Sequence, residues 1–364
     1  MKINNKDFNF RTTLKYEKQL SKQSPMIRDL VMDWSNKKKT FRLINRVSFT
    51  HDTFPVSIDL SIVKSSRRSR SNVIPEYTIE ASEVLTDVEN YEIEMEVINL
   101  KTGSGTPWIQ SNIEEFTAML KSNIKMILSG LQQTHYPVSY PEQTNVMQSY
   151  MFLINDKDFE PRKAVPKDFI GPSSLTLQIS NIAPINEDAI IPNIRLNYTV
   201  SEKADGLRKL LYVHKSGKIY LIDTNMNVQF TGAVSKNEDL VETLLDGEHI
   251  LHNKKGEFIN LYAAFDIYFV NRSDVRANGF IPDDGDVTQV KYRFPLLQQV
   301  IKQLKLESIV PGQLTPIRIN NKKGVDPVSG GNIRKTSDDF FQVNDEMFDI
   351  IFIDGLHTYN QVKK

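Results

Sequence analysis

The residues best suited to chemistry stand together as Lys203-Ala204-Asp205-Gly206-Leu207-Arg208, between two runs of strand-like composition. A lysine amine attacks phosphorus only when neutral, so a lysine beside a metal or other cationic groups is a candidate nucleophile for the α-phosphate of a nucleoside triphosphate. Gly206 would let the backbone approach a ligand closely. Arg208 offers a planar fork for ribose or phosphate oxygens. Alone, these positions would more often belong to a solvated turn. Two companions narrow the choice. Downstream, Leu244-Leu245-Asp246-Gly247-Glu248-His249-Ile250 carries two carboxylates able to hold a hydroxyl or a hard divalent cation. Further on, Tyr262-Ala263-Ala264-Phe265-Asp266-Ile267-Tyr268-Phe269 sets an aromatic beside an acid within a strand pattern.

The blocks NYTVSEKADGLRKLLYV, LLDGEHI and YAAFDIYF, in this order, resemble the first nucleotide-binding blocks of the covalent nucleotidyltransferase superfamily of capping enzymes and polynucleotide ligases. Within it they resemble the guanylyltransferase of large DNA viruses. The resemblance implies a ligase-type, ATP-grasp-like antiparallel β domain with helices over residues 165–323. It implies that Lys203 takes GMP from GTP as a phosphoramidate and passes it to an RNA 5′ diphosphate end. Asp205, Gly206, Arg208 and Asp266 would contact the nucleotide, Glu248 the ribose or a metal-bound phosphate, and Phe265 would stack on guanine. Asp246 would serve the Mg2+ or Mn2+ ion, although Asp246 and Asp266 could instead brace strand ends. Two alternatives stand beside this: an ATP-dependent polynucleotide ligase, and a non-catalytic remnant that binds nucleotide or RNA. A P-loop is excluded, because no GxxxxGK[ST] occurs.

The elements before this core read as an antiparallel sheet, with strand patterns at 41–49, 56–64 and 91–100. Period-two alternation puts Glu92, Glu94 and Glu96 on one face, which by residue type alone suits a solvent-exposed acidic face more than a closed site, where they would repel one another unless a cation neutralises them. Arg42 and Arg46 share a strand face, and Lys64 ends the next strand. The segment resembles a triphosphate-tunnel RNA triphosphatase, a closed antiparallel barrel. That resemblance implies metal on Glu92, Glu94 and Glu96 and triphosphate on Arg42, Arg46 and Lys64. A second glutamate pair on an early strand is missing before Lys15, so the expectation is a tunnel domain over residues 1–164 that begins part-way and whose hydrolysis is in doubt. Arg67-Arg68-Ser69-Arg70 reads as a solvated basic loop within reach of RNA.

Between 112 and 131 the apolar spacing predicts a helix, with Gly130 as its C-cap. The proline-bearing stretch 155–172 reads as a connection, which places a domain boundary near 165. Ser216-Gly217 predicts a hairpin turn. After Lys323 the sequence changes character. FDIIFIDGLHTY resembles the strand and loop beside the cofactor in a class I methyltransferase, so residues 324–364 are expected to be a short α/β fragment from another source. The alternative takes Asp354-Gly355-Leu356 as a further nucleotidyltransferase block. The chain as a whole is expected to be α+β.

The bulk numbers are compatible with this. Lysine plus arginine and aspartate plus glutamate both number 45, so any grip on RNA must come from local clusters. There are no cysteines, which excludes thiolate metal sites and cysteine nucleophiles. No signal peptide or apolar span is read, so the expectation is a soluble intracellular protein, in infected-cell cytoplasm or virion if viral. Its expected partners are GTP, an RNA 5′ end and other capping subunits, with no membrane.

Overall fold

The computed structural model describes residues 1–16, 18–70, 72–102, 106, 108, 112–155, 159–184, 191–194, 198–201, 205–282, 288–321, 324–325 and 353–355. The chain divides into two compact units, residues 1–3 with 11–124 and residues 4–10 with 125–364.

In the first unit, β1 (Arg42–Thr50), β2 (Val56–Ser65) and β3 (Asn90–Val97) form an antiparallel sheet in the order β1-β2-β3. Register settles which side chains share a face. Glu92, Glu94 and Glu96 lie opposite Ser61, Asp59 and Ser57, while Arg42 and Arg46 lie opposite Ser65 and Ser61. All of these residues therefore fall on one face. Among the described residues this sheet is three-stranded and open, with β1 and β3 as its edges.

Helix α1 (Ile113–Gln132) starts with Asn112 Oδ1 accepting from the Glu115 N–H at 3.1 Å and carries Glu114 and Glu115 in its first turn, where the helix dipole favours acids. It runs past Gly130. The left-handed residue that ends it is Gln133, at φ 51°, so the glycine lies inside the helix and is not its cap.

The second unit holds α2 (Tyr140–Ile154), whose Ser139 cap accepts from Glu142 N–H at 3.2 Å and whose first turn contains Pro141. Its strands are β4 (Tyr198–Ser201), β5 (Leu207–Val213), β6 (Lys218–Asp223), β7 (Val228–Ser235), β8 (Thr243–His252), β9 (Phe258–Val270) and β10 (Ser273–Asp274). After helix α3 (Arg293–Gln303) come β11 (Leu306–Ser308), β12 (Arg318–Asn321), β13 (Gly324–Val325) and β14 (Ile353–Gly355). Eight of these strands make the main sheet, ordered β10-β9-β8-β5-β6-β7-β11, with β12 lying parallel to β9 and every other pairing antiparallel.

Both faces of that sheet are covered. On one, Leu211, Val213, Leu245 and Ile267 pack with Leu297 and Val300 of α3. On the other, Leu210, Tyr212, Leu244 and Tyr268 pack with Val146, Tyr150 and Met151 of α2. Burial on two faces is why β5 reads as the unbroken apolar run LLYV instead of alternating. Because α2 supplies one of these layers, the boundary expected near 165 falls inside the second unit. The turn at Ser216-Gly217 is present; Gly217 sits at φ 75°, and a Cβ there would lie 2.5 Å from the Ser235 carbonyl oxygen.

A separate three-stranded sheet has the order β13-β4-β14. Ile353, Asp354 and Gly355 pair antiparallel with Val200, Thr199 and Tyr198. The C-terminal run expected to form a methyltransferase-like strand is thus, over its described part, an antiparallel partner of the strand leading to Lys203. Residues 326–352 and 356–364 lie outside the described residues.

Candidate active site

Lys203 lies outside the described residues, as do Glu202 and Ala204. The chain on either side is described: β4 ends at Ser201 and β5 begins at Leu207. Asp205 and Gly206 are exposed in the connection. A Cβ on Gly206 would sit 3.0 Å from the His249 carbonyl oxygen and 3.2 Å from Glu248 Cβ. The close approach this glycine permits is therefore to the neighbouring strand β8.

Arg208 lies directly across the ladder from Glu248. Its guanidinium reaches diagonally to Asp246, with Nε donating to Oδ1 at 3.2 Å and Nη2 to Oδ2 at 2.6 Å. Asp246 is fully buried and also accepts from the Tyr268 hydroxyl at 2.5 Å. Burial, and then the Asp246 charge, push the Tyr268 phenol well above its usual pKa, so it remains a donor. The third guanidinium nitrogen, Nη1, donates to the Pro172 carbonyl, and the Arg208 head lies 5.6 Å from the Phe169 ring centre and 5.7 Å from that of Phe265. Glu248 and Phe265 are half-buried beside it. Gly247, between the two carboxylates, is required by packing: a Cβ there would come 2.6 Å from Tyr262 Cζ and 2.7 Å from the Ala263 carbonyl oxygen.

Asp266 belongs to a different arrangement. It forms a buried ion pair with Arg293, at 2.9 Å to Nε and 3.2 Å to Nη2, and Arg293 also donates to the Arg276 and Asn278 carbonyls. The pair ties the first residue of α3 to β9, a bracing role.

Sequence reasoning treated residues 155–172 as a connection and so missed Phe169, Gly171 and Pro172, all of which touch the Arg208 corner. The only available signal was the apolar pair and Gly-Pro at 169–172, which suits any turn. Also missed was a polar chain on the opposite face of the sheet. There, buried Lys209 donates to Gln229 at 2.5 Å and lies 3.2 Å from His249 Nδ1, whose Nε2 lies 2.7 Å from Asn260 Oδ1. Burial lowers the pKa of both Lys209 and His249.

In the first unit the two expected triphosphate arginines pair with expected metal glutamates, while Lys64, opposite Leu43 in the ladder, falls on the other face of the sheet. Arg42 meets Glu92 at 2.8 Å, Arg46 meets Asp59 at 2.8 Å and Glu94 at 2.7 Å, and Lys64 approaches Glu89 at 3.7 Å. Arginine thus supplies the counter-charge inferred for Glu92 and Glu94. Among the described residues no three His, Asp or Glu side chains group as metal ligands. Both oxygens of Asp246 and of Asp266 are already engaged by arginine and tyrosine donors.

Residues 140–283 match the family model of the mRNA capping enzyme catalytic domain. A probable mRNA-capping enzyme of Acanthamoeba polyphaga mimivirus is 28% identical over 193 residues, which is 53% of this chain and 14% of that relative. The similarity to the capping-enzyme catalytic domain thus covers residues 140–283. The chain spans about a seventh of that relative's length. The capping-enzyme match begins at Tyr140, the first residue of α2, and takes in residues 169–172, Lys203, Arg208, Asp246, Glu248 and Phe265. It therefore agrees with the packing in assigning α2 to the same unit as the sheet. Among the described residues, no helix is long and apolar enough to cross a membrane.

Proposed function

We propose that the second unit is the nucleotide-binding part of an RNA-capping guanylyltransferase. In the first step the neutral Lys203 amine attacks the α-phosphorus of GTP; a P–N bond forms, the bond to the β-phosphate oxygen breaks, pyrophosphate leaves, and the nitrogen gives up one proton to solvent. In the second, a terminal phosphate oxygen of an RNA 5′ diphosphate attacks the same phosphorus, and the P–N bond breaks as the nitrogen takes up a proton to return the lysine. The observation that carries this reading is the convergence of Arg208, Glu248 and Phe265 at the start of β5, a few residues beyond Lys203. There a guanidinium held in place by Asp246 would exchange other contacts for phosphate or ribose oxygens. Glu248 offers acceptors for ribose hydroxyls, and the Phe265 ring offers a stacking surface for a base.

For the first unit, the proposal is a triphosphatase-like module in which Arg42 and Arg46 would exchange their carboxylate partners for the RNA triphosphate, while Lys64, opposite Leu43 in the ladder, lies on the other face of the sheet. Its support is the sequence resemblance together with the shared face of the two arginines and the glutamates.

Incubating the chain with radiolabelled GTP or ATP tests the nucleotidyl transfer. GTP is expected to leave a phosphoramidate label on the protein that is absent from Lys203→Ala. Label from ATP alone would establish the ligase alternative, and no label from either nucleotide on folded protein would establish the remnant.

A further inference from the structure

The Arg208 corner is held on two sides. In the sheet, Asp246 and Tyr268 fix it; outside the sheet, residues 168–172 do. Asp168 anchors that outer segment. Its carboxylate is gripped by Arg162 at 2.6 and 2.7 Å, an interaction that holds its pKa below the ordinary carboxylate range, and its carbonyl accepts from the buried Tyr150 hydroxyl of α2 at 2.8 Å. From this anchor the chain brings the Phe169 ring to the guanidinium and the Pro172 carbonyl to Nη1.

Gly171 lies where these contacts meet. A Cβ there would stand 2.6 Å from Arg208 Nη2, 2.6 Å from Phe169 Cε1 and 3.0 Å from Asp246 Oδ2. Its backbone is not in the left-handed region, so an L-residue could adopt it without strain. Space alone excludes a side chain, and the atoms occupying that space are the nucleotide-binding arginine and the carboxylate that orders it.

We propose that Gly171 is a positioning residue for nucleotide binding: by presenting no side chain, it lets Phe169 and the Pro172 carbonyl set where the Arg208 guanidinium lies. This inference rests on the guanylyltransferase reading above, and it assigns a role to a segment outside the three sequence blocks that carry that reading.

The test is a double-substitution cycle on the full chain, comparing wild type, Gly171→Ala, Arg208→Ala and the double variant. GTP labelling is followed over a range of GTP concentrations, and unfolding is followed in urea. Gly171→Ala is expected to raise the GTP concentration for half-maximal labelling about tenfold, with a smaller effect on the limiting rate. In the Arg208→Ala background it is expected to add nothing, because the side chain through which it acts is gone. Its cost in urea is expected to shrink in the same background, which decides the matter where that variant labels too weakly to follow. Equal losses in both backgrounds, or no loss in wild type, would overturn the inference while leaving the guanylyltransferase reading in place. A folded wild type that takes no label from GTP would overturn that reading, and this inference with it.

Discussion

At Arg208 the chain holds a guanidinium in place against a buried carboxylate. A fully buried carboxylate such as Asp246 is costly unless its charge is balanced and its lone pairs are satisfied, and Arg208 with Tyr268 does both. On the reverse face of the same strands, His249 shows the opposite solution, a buried group kept neutral. Burial is the main cause of its lowered pKa, with Lys209 adding to it and the Asn260 hydrogen bond opposing. The unfolded chain therefore takes up a proton near pH 6.5 that the folded chain refuses until lower pH, so stability is full above about 6.5 and falls as the pH drops below it. Buried His214 acts in the same direction. Urea unfolding between pH 7.5 and 5 is expected to show falling stability, and His249→Asn is expected to flatten part of that slope. An unchanged slope in the variant would assign the effect elsewhere.

At the scale of elements, what the sequence revealed depended on whether an element announces itself locally. The strands at 42–50, 56–65 and 90–97 and the helix at 113–132 were legible, because period-two and helical spacing are properties of the segment alone. So was the turn at Gly217. The helix at 140–154 was not, since its proline-bearing start looks like a turn and its buried residues become meaningful only against the sheet. The same reason hid residues 169–172, whose role is defined by a partner in β5. The three sequence blocks pointed to Arg208 and Glu248, but the diagonal pairing of Arg208 with Asp246 is visible only once β5 and β8 are in register. The glycine of that β8 block has a use that can be measured. Gly247→Ala is expected to lower stability by about 1–3 kcal/mol in urea unfolding, since the added methyl meets the Tyr262 ring and a carbonyl, neither of which can retreat from a packed sheet. A loss below the error of the measurement would show that β8 and β9 separate more easily than their packing indicates.

For the whole molecule, the part that matters most to the proposed reaction is the strand leading into Lys203. Among the described residues the partners of β4 are β13 and β14, from the C-terminal end of the chain, and not the main sheet. The two readings of that end therefore make opposite demands. If residues 324–364 are a fragment with its own origin and no part in the site, their removal leaves Lys203 where it was. If Asp354-Gly355 is a block of the nucleotidyltransferase itself, their removal takes away both described neighbours of β4 and leaves the proposed nucleophile beyond a strand stripped of them. The antiparallel pairing of Asp354 with Thr199 favours the second outcome. A chain ending at Lys323 is thus expected to lose about a hundredfold in GTP labelling, the scale on which misplaced reactants lose rate. Its urea midpoint should stay close to that of the full chain, because the core between α2, the main sheet and α3 contains, among the described residues, none beyond Ile319. Labelling that survives the truncation intact would instead assign the C-terminal segment to the separate-fragment reading.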